Sequence, residues 1–117
     1  MIETYGPHER VRKKKDFVSL YKRGSCARGK YFNLIYLPNN LNYSRMAVVV
    51  SKKIGNAVAR NKVRRRAREL FRRNKEMLTQ SMDLVLVAKK EIREASWKDM
   101  REGYFGALRT ISGKDRP

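Results

Sequence analysis

Arg60, Arg64, Arg68 and Arg72 recur every four residues along one stretch of this chain. In a helix, at about 100° per residue, that spacing places them near 0°, 40°, 80° and 120°, with Asn61 at about 100° and Arg65 at about 140°. A column of guanidinium groups is suited above all to gripping phosphates. Each planar head can give a phosphate two parallel hydrogen bonds and can stack on a base, which favours RNA as the ligand. A merely solvated helix face mixes signs to gain i,i+4 pairs, and like charges at that spacing repel by a few tenths of a kcal/mol each. The four arginines therefore read as an unpaired ladder awaiting an external polyanion.

The rest of the sequence offers little that would make or break a bond. His8 is the only histidine and sits in a polar segment with no evident partner. Asp16, Glu69, Asp83, Glu91, Glu94, Asp99 and Glu102 show no spacing beyond ordinary helix-surface or turn use, so no acid–base pair stands out. Cys26 stands alone, in an expected loop between Arg23 and Arg28, and reads as a reduced bystander. Residues 52–56 hold one glycine, too few for a phosphate-cradling loop. No metal-ligand spacing is present, and binding is the expected task of the polypeptide.

The whole chain agrees with that task. Its 117 residues carry 29 Lys plus Arg against 11 Asp plus Glu, a formal charge of +18. Such a field attracts polyanions over roughly 8 to 10 Å at physiological salt, with nucleic acid the leading partner and an anionic membrane surface the second. No run approaches the ~20 apolar residues that cross a bilayer, and residues 1–10 lack the apolar core of a signal peptide. A cytoplasmic protein is expected, and one domain, residues 1–117, accounts for the length.

The elements that must position the arginines follow from periodicity. Residues 1–12 read as a loosely ordered basic arm. Phe17, Val18, Leu20 and Tyr21 recur at helical spacing over residues 14–22, and Gly24 stops that helix. Residues 31–37 and 45–51 read as strands joined by a turn around Pro38-Asn39-Asn40. By alternation Phe32, Leu34 and Tyr36 face the core, and Tyr31, Asn33 and Ile35 the open side. Gly55 allows a tight turn and Asn56 caps a helix running to about residue 73. Its stripe of Val63, Ala67, Leu70 and Phe71 falls at about 280° to 20°, so the helix packs on the sheet with one side and presents guanidinium groups with the other. Residues 83–89 supply a third strand, Ser96 caps a last helix to about residue 111, and 112–117 form a flexible tail. The expected fold is α+β, a two-layer sandwich of helices on a small, mostly antiparallel sheet.

The run from Ser51 to Arg72, with Arg60-Asn61-Lys62 at its centre, resembles the signature helix of the bacterial ribonuclease P protein family. The resemblance extends to Lys15-Asp16-Phe17, Tyr21-Lys22, Gly24, Tyr31-Phe32 and Arg45, covering roughly residues 10–90. It implies a four-stranded sheet like that of the second domain of ribosomal protein S5, with a left-handed βαβ crossover around the basic helix, a rare exception to the right-handed rule. Periodicity gives only three strands; the fourth is sought near Asn42 and Tyr43 or near Ile92. The resemblance also implies a division of labour, in which an RNA subunit carries out Mg²⁺-dependent removal of the 5′ leader from precursor tRNA. The polypeptide would grip both RNAs, supply no catalytic residue and no metal site, and need no obligatory protein partner.

Residues matching the family's RNA-subunit contacts are Lys52, Lys53, Asn56, Arg60, Asn61, Lys62, Arg64, Arg65 and Arg68. The implied leader cleft holds Phe17 and Tyr21, with Tyr31, Asn33, Ile35, Val49 and Ser51 on the open strand face. Ile35 stands where the family often carries an aromatic residue. Stacking there is worth about 1 to 3 kcal/mol per base and tolerates any sequence. Arg12, Lys13, Lys14 and Lys15 beside it would neutralise leader phosphates. The competing reading is a ribosomal or other structural RNA-binding protein, which would share the charge and the basic helix but need no open aromatic cleft. A nuclease acting alone lacks its chemistry here, and a membrane-surface protein would not spend its apolar stripe on a sheet.

Overall fold

A computed structural model of the chain describes residues 7–11 and 13–112. Three helices and four strands follow one another as α1 (Lys14–Arg23), β1 (Ser25–Arg28), β2 (Phe32–Pro38), β3 (Arg45–Val49), α2 (Ala57–Asn74), β4 (Met82–Ala88) and α3 (Trp97–Ser112). The sheet order is β1-β2-β4-β3. β1 pairs antiparallel with β2, and β2 with β4, whereas β3 and β4 are parallel and joined through α2. The sheet is thus mostly antiparallel, and its one parallel pair encloses the basic helix.

The fourth strand lies in neither place where the sequence reading sought it. Residues 25–28 form β1, a four-residue edge strand beside β2 in which only Ala27 is buried. Cys26 accordingly sits on an exposed strand opposite Ile35, not in a loop. Residues near Asn42 and Tyr43 stay outside the sheet, and Ile92 lies in a short 3-10 turn.

Alternation divides the sheet's two faces. Phe32, Leu34 and Tyr36 bury against Met46, Leu84 and Leu86, beneath Val63, Ala67, Leu70 and Phe71 of α2 and Met100, Tyr104 and Leu108 of α3. Burial also pushes the Tyr104 phenol above its ordinary range. On the other face a smaller cluster joins Leu20 and Phe17 of α1 to Ile35, Leu37, Ala47, Val49, Val85 and Val87. α1 covers only part of this face, so Asn33, Val49 and Val87 remain half-exposed.

Caps set the helix starts. Asn56 accepts a hydrogen bond from the Ala59 amide at 2.9 Å, satisfying one of the orphan donors of α2. Ser96 and Asp99 form a reciprocal capping box at α3, with the Asp99 amide donating to Ser96 Oγ at 3.0 Å and the Ser96 amide to Asp99 Oδ2 at 2.9 Å. These bonds, the Ser96 amide first, hold the Asp99 carboxyl below its usual range.

Residues 7–11 depart from the expected loose arm. Val11 is buried and its amide donates to the Met46 carbonyl at 3.2 Å, beside a parallel bridge between Arg10 and Met46 on the β3 edge. Glu9 is buried against Lys75, with Nζ to Oε2 at 2.6 Å. His8 also has neighbours, the Glu9 carboxylate at 3.9 Å and the Tyr43 ring at 5.1 Å. Residues 1–6 and Arg12 lie outside the described residues, as do 113–117 of the expected tail; Ser112 closes α3.

Candidate nucleic-acid interface

α2 is amphipathic in the sense its spacing dictates. Val63, Ala67, Leu70 and Phe71 are the buried residues of the helix, and Asn61, Lys62, Arg65 and Arg68 are exposed. Arg60 and Arg64 are half-buried at the edge of the same surface. Arg64 Nη1 donates to Asn61 Oδ1 at 3.1 Å, so Asn61 orients a guanidinium while leaving its charge uncompensated. Among the described residues no carboxylate pairs with Arg60, Arg64, Arg65 or Arg68.

The fourth rung is different, and the ladder is corrected there. Arg72 is paired with Glu69 through both Nε, at 3.2 Å, and Nη2. Arg73 Nε reaches the same carboxylate at 2.5 Å. Hydrogen bonds from Arg72, then Arg73, hold the Glu69 carboxyl below its ordinary range. The i,i+3 and i,i+4 rule applied to Glu69 finds both partners; reading the arginines alone misses them.

The remaining residues of this set extend the surface unevenly. Lys52 and Lys53 are exposed on a 3-10 turn just before α2. Gly55 follows with φ of 155°, a left-handed value that favours glycine and turns the chain into the helix. Asn56 spends its side-chain oxygen on the cap. Lys62 falls on the opposite flank from the ladder, in a cleft beside Arg66 and Arg93.

The second candidate surface is the half-covered sheet face beside α1. Phe17 packs partly into its apolar floor, and Tyr21, one turn later, is 54% exposed. Ile35 and Val49 belong to the same floor, and Asn33 shares their face through its pairing with Val87. Ser51 is exposed two residues beyond Val49. Lys13, Lys14 and Lys15 stand exposed at the start of α1. Tyr31 does not join them. It packs against the main core on the opposite face and lines a cleft with Asp99 at the start of α3. Because Tyr31 precedes β2, strand alternation does not govern its side chain.

A polar knot missed by sequence spacing fixes α1 against the sheet. Arg45 of β3 reaches Asp83 of β4 through Nε at 2.8 Å and Nη2 at 2.6 Å, and Asp16 of α1 through Nη1 at 3.4 Å. Asn39 Nδ2 adds a 2.9 Å bond to Asp83 Oδ1. The Asp83 hydrogen bonds, ahead of the opposing effect of burial, hold the Arg45 guanidinium above its already high ordinary value. Two carboxylates therefore do converge, but on a structural cation. Among the described residues no group of three His, Cys, Asp or Glu is placed to hold a metal ion.

A family model described as ribonuclease P matches residues 6–112. The chain belongs to the ribonuclease P protein family. A ribonuclease P protein component of Thermotoga maritima is 35% identical over 117 residues, covering 97% of this chain and 100% of that one. One from Streptococcus pneumoniae is 33% identical over 100 residues, 86% of this chain and 81% of that one. The solved RNase P protein from Thermotoga maritima matches with a TM-score of 0.80 at 34% identity, covering 88% and 97% of the two chains. That from Staphylococcus aureus matches at 0.80 and 28%, covering 87% and 94%. Membership carries the α+β fold with its mixed sheet and the role of accessory subunit in the ribonucleoprotein that removes tRNA 5′ leaders by RNA catalysis. Within the ribonuclease P protein family, a basic helix backed by an apolar stripe and a half-open sheet face are the two surfaces left to explain. No helix among the described residues is long and apolar enough to cross a membrane.

Proposed function

We propose that the two surfaces divide the two RNAs between them. The α2 face, with Arg60, Asn61, Arg64, Arg65 and Arg68 at its centre and Lys52 and Lys53 at its entry, grips the catalytic RNA. One observation carries this reading: these four cations lie beside the buried stripe of the helix, Arg65 and Arg68 exposed and Arg60 and Arg64 at the edge, and none of them pairs with a carboxylate among the described residues. Displacing counterions from phosphates makes such binding strongly salt-dependent. Lowered phosphate repulsion helps the RNA keep its compact form and the Mg²⁺ ions it uses, which are not held by this polypeptide.

The sheet face beside α1 takes the 5′ leader of precursor tRNA. Tyr21 and the exposed edge of Phe17 offer stacking surfaces, Ile35 and Val49 an apolar floor, Asn33 and Ser51 polar contacts, and Lys13, Lys14 and Lys15 phosphate neutralisation. Stacking without base-edge readout suits leaders of any sequence. Tyr31 is left out of this surface by its place on the other face. The polypeptide works in the cytoplasm, where precursor tRNA is processed, as a single RNase P domain.

Precursor tRNA incubated with the polypeptide, with the RNA subunit, and with both at near-physiological Mg²⁺ tests the division. Only the mixture is expected to cut efficiently at the leader junction. Cutting by RNA-free polypeptide defeats the accessory role.

A further inference from the structure

Trp97, the single tryptophan of the chain, opens α3 at the rim of a cleft that adjoins the proposed α2 surface. The cleft, of about 320 Å³, is lined by Trp97 together with Arg65, Arg66, Glu69 and Arg73 of α2. Arg65 belongs to the outward cationic face of α2, so the cleft continues that face around the helix. Arg66 Nη1 donates to the Ala95 carbonyl at 3.4 Å and so ties the chain leading into Trp97 to α2. Glu69 fixes Arg73 through its Nε. The guanidinium of Arg101 lies 5.8 Å from the centre of the indole ring, a cation–π contact.

This is an aromatic plane flanked by cations, the combination that holds a splayed nucleotide in single-stranded RNA recognition. Elsewhere the larger cleft between α3 and the β1–β2 turn, about 490 Å³, sets the carboxylates Asp99 and Glu102 against a polyanion. We infer that Trp97 stacks an unpaired nucleobase of the catalytic RNA in this cleft, with Arg65 and Arg73 on the flanking phosphates and Arg66 as a positioning residue. The inference rests on the reading that the α2 face grips that RNA, because Arg65 is shared by both.

A lone indole makes the test direct. Tryptophan emission of the full chain is followed while the catalytic RNA is added, and separately while precursor tRNA is added. Affinity is measured in parallel by filter retention for the parent, Trp97→Phe, Trp97→Leu and the Arg64→Ala/Arg68→Ala pair. Stacking quenches the emission in step with binding of the catalytic RNA. Trp97→Leu keeps an apolar side chain against the core but loses about 5- to 150-fold in affinity, the fold-change that one stacked base represents, whereas Trp97→Phe keeps most of it. Unquenched emission during tight binding overturns the inference and leaves the α2 reading intact. So does a Trp97→Leu chain that binds like the parent, and so does quenching by precursor tRNA alone. Unchanged affinity in the Arg64→Ala/Arg68→Ala chain instead defeats the α2 reading itself, whatever the indole reports.

Discussion

Arg45 and Arg68 carry the same head group and are put to opposite uses. Arg45 sits with its side chain 18% exposed between Asp83 and Asp16, which cancel its charge from inside the molecule. Arg68 stands on α2 with no carboxylate partner among the described residues and several like-charged neighbours. The first cation ties three elements, α1, β3 and β4, and so fixes the face on which the leader is proposed to lie. The second costs the free protein some self-repulsion and recovers it when a polyanion arrives. A basic composition therefore does not by itself locate an interface; the placement of the few acids does, by marking which cations are already spoken for.

The largest effect that can break this comparison comes from the inner cation. Asp83→Ala leaves Arg45 with only the longer contact to Asp16 and strands most of its charge under partial burial. We expect a loss of about 2–4 kcal/mol, somewhat under the figure for a fully buried pair because Arg45 keeps access to water. Urea unfolding should show a lower midpoint at unchanged slope, with the affinity of the folded chain for the catalytic RNA nearly intact. A chain as stable as the parent would reduce the knot to a surface ion pair.

Next in size is the mirror experiment on α2. Arg64→Ala with Arg68→Ala should leave the unfolding free energy within about 1 kcal/mol of the parent, since neither side chain lies in the core. Binding to the catalytic RNA should weaken by about 1–3 kcal/mol, the net worth of two solvent-exchanged hydrogen bonds. The slope of log affinity against log salt should flatten by about 1.4–1.8, two phosphate contacts' worth. A weaker complex with an unchanged slope would mean that the two arginines act through helix structure and not through phosphates.

The contrast also explains what could be read from the sequence. Both helix caps, Asn56 and Ser96, and the stripe at Val63, Ala67, Leu70 and Phe71 are local patterns, and the structure has them where spacing puts them. The Arg45 knot joins residues 38 and 29 positions apart, a distance no periodicity spans. β1 escaped for another reason. Four residues with only Ala27 buried give an alternation too short to register, and its edge position needs no apolar face. The resemblance to a known family supplied a fourth strand but not its address. Tyr31 precedes its strand, where alternation no longer sets the face, and Arg72 has in Glu69 an acidic neighbour that arginine spacing alone does not show.

A smaller effect sharpens the comparison on the sheet face that the inner knot positions. Tyr21 is more exposed than Phe17 and lies outside the apolar floor, so its removal separates binding from packing. Tyr21→Ala should barely move the urea midpoint and should cost about 1 kcal/mol in the preference for precursor over mature tRNA, the low end for one stacked base. Phe17→Ala should lose the same preference and some stability as well, because its ring also fills the floor. Equal binding of both tRNAs by the parent would remove the leader from this face altogether.

Glu69 lies on the boundary between the two uses of arginine, and its neutralisation gives the smallest and most specific effect. Its carboxylate pairs with Arg72, the fourth rung of the ladder, and with Arg73 beside the Trp97 cleft. Because its folded pKa lies below the ordinary glutamate value of 4.5, the pair's contribution is fully present above about that pH and is lost as pH falls through the lowered value. Glu69→Gln should cost a few tenths of a kcal/mol near neutrality, typical of about one or two such helix pairs, and should remove that acid-side slope from the stability profile. The same change removes a negative charge from beside Arg72 and Arg73, so affinity for the catalytic RNA should rise slightly. A variant that binds more weakly would show that Glu69 serves the interface chiefly by orienting Arg73 toward the phosphates beside Trp97.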